Sequence, residues 1–229
     1  MRGETMRRFL RQNSLGLVFG VLFLLALVGQ AFAGHADYND QLRSDGLAEV
    51  SLGRYLTSAS FAVDVAENWQ SEYLQFFLFV TLTVWLVQRG SPESKPLDAV
   101  GREPDADQHV GEHARADSPA WARARGWRLG VYSNSLGLVM GLIFLLSWLV
   151  QSVAGAAAYN EEQLRRLQDP VPWGAYLLEA DFWNRTLQNW QSELLAVASM
   201  AILSIYLRQR GSPESKPVGS AHDTTGVEG

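Results

Sequence analysis

Residues 134–155 read NSLGLVMGLIFLLSWLVQSVAG, a stretch without one charged side chain. At 1.5 Å per residue, a helix of about 20 residues crosses a ~30 Å hydrocarbon core. Residues 136–146 show no alternation of apolar and polar positions, which argues against a strand. In lipid only helices and closed barrels satisfy the backbone, so this stretch predicts a membrane helix.

The same stretch begins again 121 residues earlier: Asn13-Ser14-Leu15-Gly16-Leu17-Val18 matches Asn134-Ser135-Leu136-Gly137-Leu138-Val139. Tyr38-Asn39 recurs as Tyr159-Asn160, and Asn68-Trp69-Gln70-Ser71-Glu72 as Asn189-Trp190-Gln191-Ser192-Glu193. The octapeptide from Arg89 to Pro96 (RGSPESKP) returns unchanged from Arg210 to Pro217. The chain is therefore a tandem repeat. Each half holds two apolar runs, 14–34 with 69–88 and 135–155 with 192–207. Of the 19 basic and 24 acidic side chains, only Glu72 and Glu193 fall inside these runs. The expected fold is all-α, an integral membrane four-helix bundle made of two tandem transmembrane hairpins. An even number of spans per half inserts both halves the same way up, about a pseudo-twofold axis along the membrane normal.

Composition excludes other classes. The 229 residues are 47% hydrophobic, with a net charge of −5 and no cysteine. There is no disulfide framework, thiol nucleophile or thiolate metal site. The mild acidity gives no reason to expect a nucleic-acid partner. The reading by region is a first hairpin over 1–96, a disordered cytoplasmic linker over 97–120, a second hairpin over 121–217 and a disordered tail over 218–229.

Arginine placement orients the chain. Arg2, Arg7, Arg8 and Arg11 precede the first run, and Arg123, Arg125 and Arg128 precede the third. Arg89 and Lys95 follow the second run, and Arg208, Arg210 and Lys216 the fourth. Residues 35–68 instead hold six acids and two arginines. Both termini and the 89–134 segment are expected to be cytoplasmic, in a bacterial inner membrane. Residues 6–34 also have the outline of a signal peptide ending at Ala31-Phe32-Ala33. The mid-chain copy of that helix favours an uncleaved span.

Candidate residues fall into three groups. Gly16 with Gly20, and Gly137 with Gly141, form GxxxG pairs that allow close helix packing. In the second group, Ser60 and Asp181 are expected N-caps of the second helix of each hairpin. On that helix Asn68, Ser71, Glu72 and Gln75 share one face, matched by Asn189, Ser192 and Glu193, while Trp69 and Trp190 suit the headgroup boundary. Counting from the cytoplasmic anchors puts Gln30 level with Glu72, and Gln151 level with Glu193, which predicts a hydrogen bond in each hairpin. Ionisable groups at such depth are candidate sites by default. The bland alternative is amide-bonded carboxylates that fix helix register. The third group is the octapeptide, whose Gly90 and Gly211 suit a left-handed helix C-cap. It is also a candidate docking segment for a cytoplasmic partner.

His109 and His113, with Asp105, Asp107 and Glu112, lie in a glycine-containing linker without a framework and read as solvated. Trp121, Arg123, Arg125, Trp127 and Arg128 read as an interfacial anchor. No P-loop, nucleophile elbow, HExxH or dinucleotide fingerprint is present. No catalytic residue, metal or cofactor is expected.

Through the Asn-Trp-Gln-Ser-Glu blocks and the Arg-Gly-Ser-x-Glu-Ser-Lys endings, the chain resembles an uncharacterised bacterial multipass membrane-protein family, the domain of unknown function 6766. Asn68–Glu72 with Arg89–Lys95 match once, and Asn189–Glu193 with Arg210–Lys216 match again. The resemblance implies a bacterial membrane protein and supplies no activity. The expected function is non-enzymatic, structural or interaction-based, with the lipid bilayer as partner and a homo-oligomer or cytoplasmic partner as further candidates. The rival is a small proton or cation transporter or channel component using Glu72 and Glu193.

Overall fold

In the computed structural model the chain is described over residues 2–227. The side chain of Arg2, part of the N-terminal charge reading, and the last two residues of the 218–229 tail lie outside the described set. The described residues form α1 (Arg2–Gln12), α2 (Ser14–Ser44), α3 (Leu52–Leu56), α4 (Ala59–Leu82), α5 (Trp127–Ser133), α6 (Ser135–Arg165), α7 (Trp173–Tyr176) and α8 (Ala180–Tyr206). Three 3-10 turns, Leu97–Ala99, Gly111–His113 and Ala120–Arg123, lie in the segment between the halves. The fold is all-α.

Two helices, α2 and α6, are long and apolar enough to cross a membrane. Helices α4 and α8 instead open on a polar stretch holding Asp64, Glu67 and Glu72, or Asp181, Arg185 and Glu193, before their apolar halves. The apolar window of α2 is 0% buried, against 22% for that of α6.

Helix ends differ from the sequence expectation. Helices α2 and α6 run ten residues past the apolar runs, because nothing between Gly34 and Ser44, or Gly155 and Arg165, breaks a helix. Both end in the same Schellman closure: Leu47 N–H donates to Leu42 O and Gln168 N–H to Gln163 O, each at 2.8 Å. The intervening Gly46 and Leu167 are both left-handed, φ 71° and 58°.

The expected N-caps are displaced. Ser58, not Ser60, accepts the Phe61 N–H at 3.2 Å, since α4 already starts at Ala59. Asp181 lies inside α8, whose N-cap Glu179 makes no side-chain bond. Asp181 instead accepts from the Tyr176 hydroxyl at 2.9 Å. Helix α4 stops six residues short of Gln88. Thr81 and Thr83 donate their hydroxyls to the Phe77 and Phe79 carbonyls at 2.6 Å, competing with the helical ladder. Arg208 closes α8 by donating Nη1 to the carbonyls of Ser204, Ile205 and Leu207.

The chain forms two compact units, Met1–Asp64 with Ala154–Val171, and Val65–Val153 with Pro172–Gly229. The boundaries pass through α4 and α6, so neither unit coincides with one sequence half. In the first unit Tyr55, 2% exposed, packs against the rings of His35, Tyr38 and Phe61. The second unit has an aromatic layer in which Trp148 contacts Phe144, Phe182, Trp183 and Trp190.

Candidate functional site

In the second unit, buried polar side chains thread the aromatic layer. Gln70 is 0% exposed, and its Oε1 accepts the Trp190 indole N–H at 2.7 Å. Gln151, also buried, donates to the Thr186 hydroxyl at 3.2 Å. Arg185 reaches Glu67 at 3.1 Å and Asp181 at 3.3 Å, and Asp181 holds the Tyr176 hydroxyl. Burial, and then the bond to Asp181, push the Tyr176 hydroxyl above the ordinary tyrosine range. Arg185 thus faces two carboxylates, and these bonds tie α4, α6 and α7 to α8.

The residues singled out from the sequence are distributed differently. Gln151 spends its amide on Thr186, and its Oε1 has no partner, so the expected bond to Glu193 is not made. Thr186 lies seven residues, two turns, before Glu193; equal counting from the anchors ignores that α8 ends one residue before its run does and packs in its own register. Gln30 is half-exposed on α2, Glu72 is exposed on α4 and Glu193 is half-exposed on α8. Ser71 and Ser192 donate to the carbonyls of Asn68 and Asn189, both at 2.9 Å, and the Asn189 amide donates to Arg185 O. These side chains bond their own helix. Trp190 turns inward to Gln70, while Trp69 is exposed.

The glycine pairs also separate. A Cβ on Gly137 would sit 3.3 Å from Thr81, and one on Gly141 would sit 3.1 Å from the Phe77 ring, so α4 and α6 approach closely there. Gly16 and Gly20 have nothing within 4 Å.

Several structural residues escaped the sequence reading. Asn39 accepts the Val50 N–H at 2.9 Å and donates to Val50 O at 3.1 Å; Asn160 does the same with Val171, both at 2.8 Å. Each asparagine clamps the loop after its helix eleven residues on. The repeated Tyr-Asn pair was the available signal. In the first unit Arg165 bonds Glu161 at 2.6 Å, approaches Asp45 at 3.6 Å and lies over the Tyr38 ring, whose hydroxyl bonds Glu161. Arg165 corresponds to Ser44 in the first half, and Arg185 to Asp64. Both ion clusters arise where the halves diverge.

The octapeptide forms the same turn twice. Gln88 and Gln209 N–H groups donate to Ser94 and Ser215 Oγ at 2.8 and 2.9 Å. Ser91 and Ser212 N–H groups return to Gln88 and Gln209 O, both at 3.1 Å. Gly90 and Gly211 are left-handed, φ 87° and 83°, but lie beyond the ends of α4 and α8 as turn residues, not helix C-caps. Lys95 donates to Gly101 O at 2.8 Å, and buried Lys216 donates to the carbonyls of Ala221, His222 and Thr224.

No curated protein and no solved structure matches the chain. With its apolar helices, paired blocks and repeated turn, the chain matches the family described as a domain of unknown function (DUF6766) over residues 6–227, and it belongs to that family.

Proposed function

We propose that this chain is a non-enzymatic, multipass scaffold of the bacterial inner membrane, with both termini and the 89–134 segment cytoplasmic. One observation carries the reading. The apolar stretch of α2 lies uncovered along its length, with Leu15 74%, Phe19 65% and Leu25 64% exposed. Such a surface is untenable in water and ordinary in lipid. In this reading the octapeptide turns lie on the cytoplasmic side of the membrane. The buried polar groups Gln70, Gln151 and Thr186 are uncharged, which supports a role in fixing helix register.

Reporter fusions after Asn39, Ala106 and Asn160 should read outside, inside and outside. A mature protein beginning at Gly34 overturns the uncleaved arrangement. The rival reading is a proton or cation path through Glu72 and Glu193. It requires flux of protons, sodium or potassium in proteoliposomes that Glu72→Gln or Glu193→Gln abolishes. The scaffold reading requires no flux above empty vesicles.

A further inference from the structure

The octapeptide turn is formed twice, and among the described residues its Arg-Gly-Ser part is covered once. On the first copy the C-terminal tail is seated: Gly90 N–H donates to Thr225 Oγ1 at 2.8 Å, and Gly226 N–H donates to Ser91 O at 3.1 Å. Arg89 faces the Asp223 carboxylate at 3.4 Å. The fit needs glycine, since a Cβ on Gly90 would lie 2.4 Å from the His222 carbonyl oxygen. Gly90, Ser91 and Pro92 are buried as a result.

The second copy has the same sequence and the same turn, but among the described residues only its Ser215 and Lys216 are buried and its Arg210–Pro213 part is uncovered. Arg210, Gly211 and Pro213 are exposed, and nothing stands within 4 Å of a Cβ built on Gly211. The chain's own tail passes over Lys216 at the far end of this second octapeptide and on to the first turn, leaving Arg210 to Pro213 uncovered among the described residues. His222 Nδ1 meets Ile205 O at 3.0 Å, and Lys216 holds three tail carbonyls.

We infer that the turn from Arg210 to Ser212 is a docking site for an extended segment of a partner protein with the chemistry of the seated tail, Asp-x-Thr-Gly. The partner's carboxylate pairs with Arg210, its hydroxyl accepts the Gly211 N–H, and its next backbone N–H donates to Ser212 O. Each contact copies one made on the first turn. The inference deepens the scaffold reading and rests on it for biological meaning. Its test is run in detergent, where topology has no bearing, so failure of either is distinguishable from failure of the other.

The probe is a fluorescein-labelled peptide, Ala-His-Asp-Thr-Thr-Gly-Val, titrated with the full chain in micelles and read by fluorescence anisotropy. Saturable binding of one equivalent is expected, with a scrambled peptide inert. Arg210→Glu should weaken binding at least about fivefold, more than the usual worth of an exposed ion pair because the charge is reversed. Arg54→Glu, an exposed arginine of α3 outside both turns, should leave it unchanged. Replacing the second threonine of the peptide by valine should cost about fivefold, the worth of one hydrogen bond, and needs no change to the protein. Absence of saturable binding, equal binding of the scrambled peptide, or an affinity that Arg210→Glu and the valine peptide both leave intact overturns the proposal.

Discussion

Trp190 donates its indole N–H to the fully buried Gln70 at 2.7 Å, joining the two Asn-Trp-Gln-Ser-Glu blocks asymmetrically. The first block turns its glutamine inward and its tryptophan out; the second turns its tryptophan inward and leaves Gln191 exposed. Gln70→Leu should therefore destabilise the chain by about 1–2 kcal/mol, since it leaves the indole N–H unpaired. Combined with Trp190→Phe, unfolding in mixed micelles should show coupling of about 0.5–1.5 kcal/mol. Gln191→Leu, on the exposed side of the second block, should change little. Additive effects of the Gln70 and Trp190 substitutions would count against the bond.

Arg185 stands between Glu67 and Asp181. Arg185→Met should cost about 1–3 kcal/mol, as both partly buried carboxylates lose their counter-charge. A stability loss near zero would show that the cluster is solvated.

The Tyr176 hydroxyl titrates above its ordinary value of 10.0 because burial and the Asp181 bond favour the neutral phenol. A group raised in the folded state contributes stability that is complete below the unfolded pKa and is lost as pH rises through the folded one. Stability should thus decline above about pH 10. Tyr55 shifts the same way, by burial and then by Asp64 and Asp37. Tyr176→Phe should blunt the alkaline decline without removing it. An unchanged alkaline limb in that variant would be the contrary result.

Leu167 occupies the left-handed position that Gly46 holds 121 residues earlier, and it is 96% exposed. A side chain there costs about 1–2 kcal/mol against glycine. Leu167→Gly should stabilise the protein by about 1 kcal/mol, net of the greater freedom of an unfolded glycine, measurable as a raised melting temperature.

The two glycine pairs should respond oppositely to alanine. Gly141→Ala sets a methyl 3.1 Å from the Phe77 ring and should destabilise by about 1–3 kcal/mol through overpacking. Gly20→Ala meets nothing within 4 Å and should be neutral or stabilising by up to about 1 kcal/mol through helix propensity. Equal effects would remove the distinction between a packed and an open pair.

Much of the candidate site was visible as repeated residues, but not as partners. The Tyr-Asn and octapeptide repeats mark positions whose side chains bond the same backbone groups in each half, since these contacts are local in sequence and the same local sequence makes the same turn. Gln70 was missed for Glu72 because both lie in one helical block, and hydropathy does not say which side of a helix faces a neighbour. A shift of one residue turns a helix by about 100°, enough to exchange the buried and exposed members of the block.

The amino-acid sequence by itself determined the all-α class, the helical character of the two long apolar stretches and the 121-residue correspondence, because these depend on local periodicity and on runs too apolar for water. Only the tertiary structure decided that Gln151 meets Thr186, that Gly137 and Gly141 are packed while Gly16 and Gly20 are open, and that the tail covers one octapeptide turn and not the other. Those outcomes depend on helix rotation and register between segments far apart in sequence. Two identical sequence blocks in one chain cannot encode that difference, because each meets different neighbours.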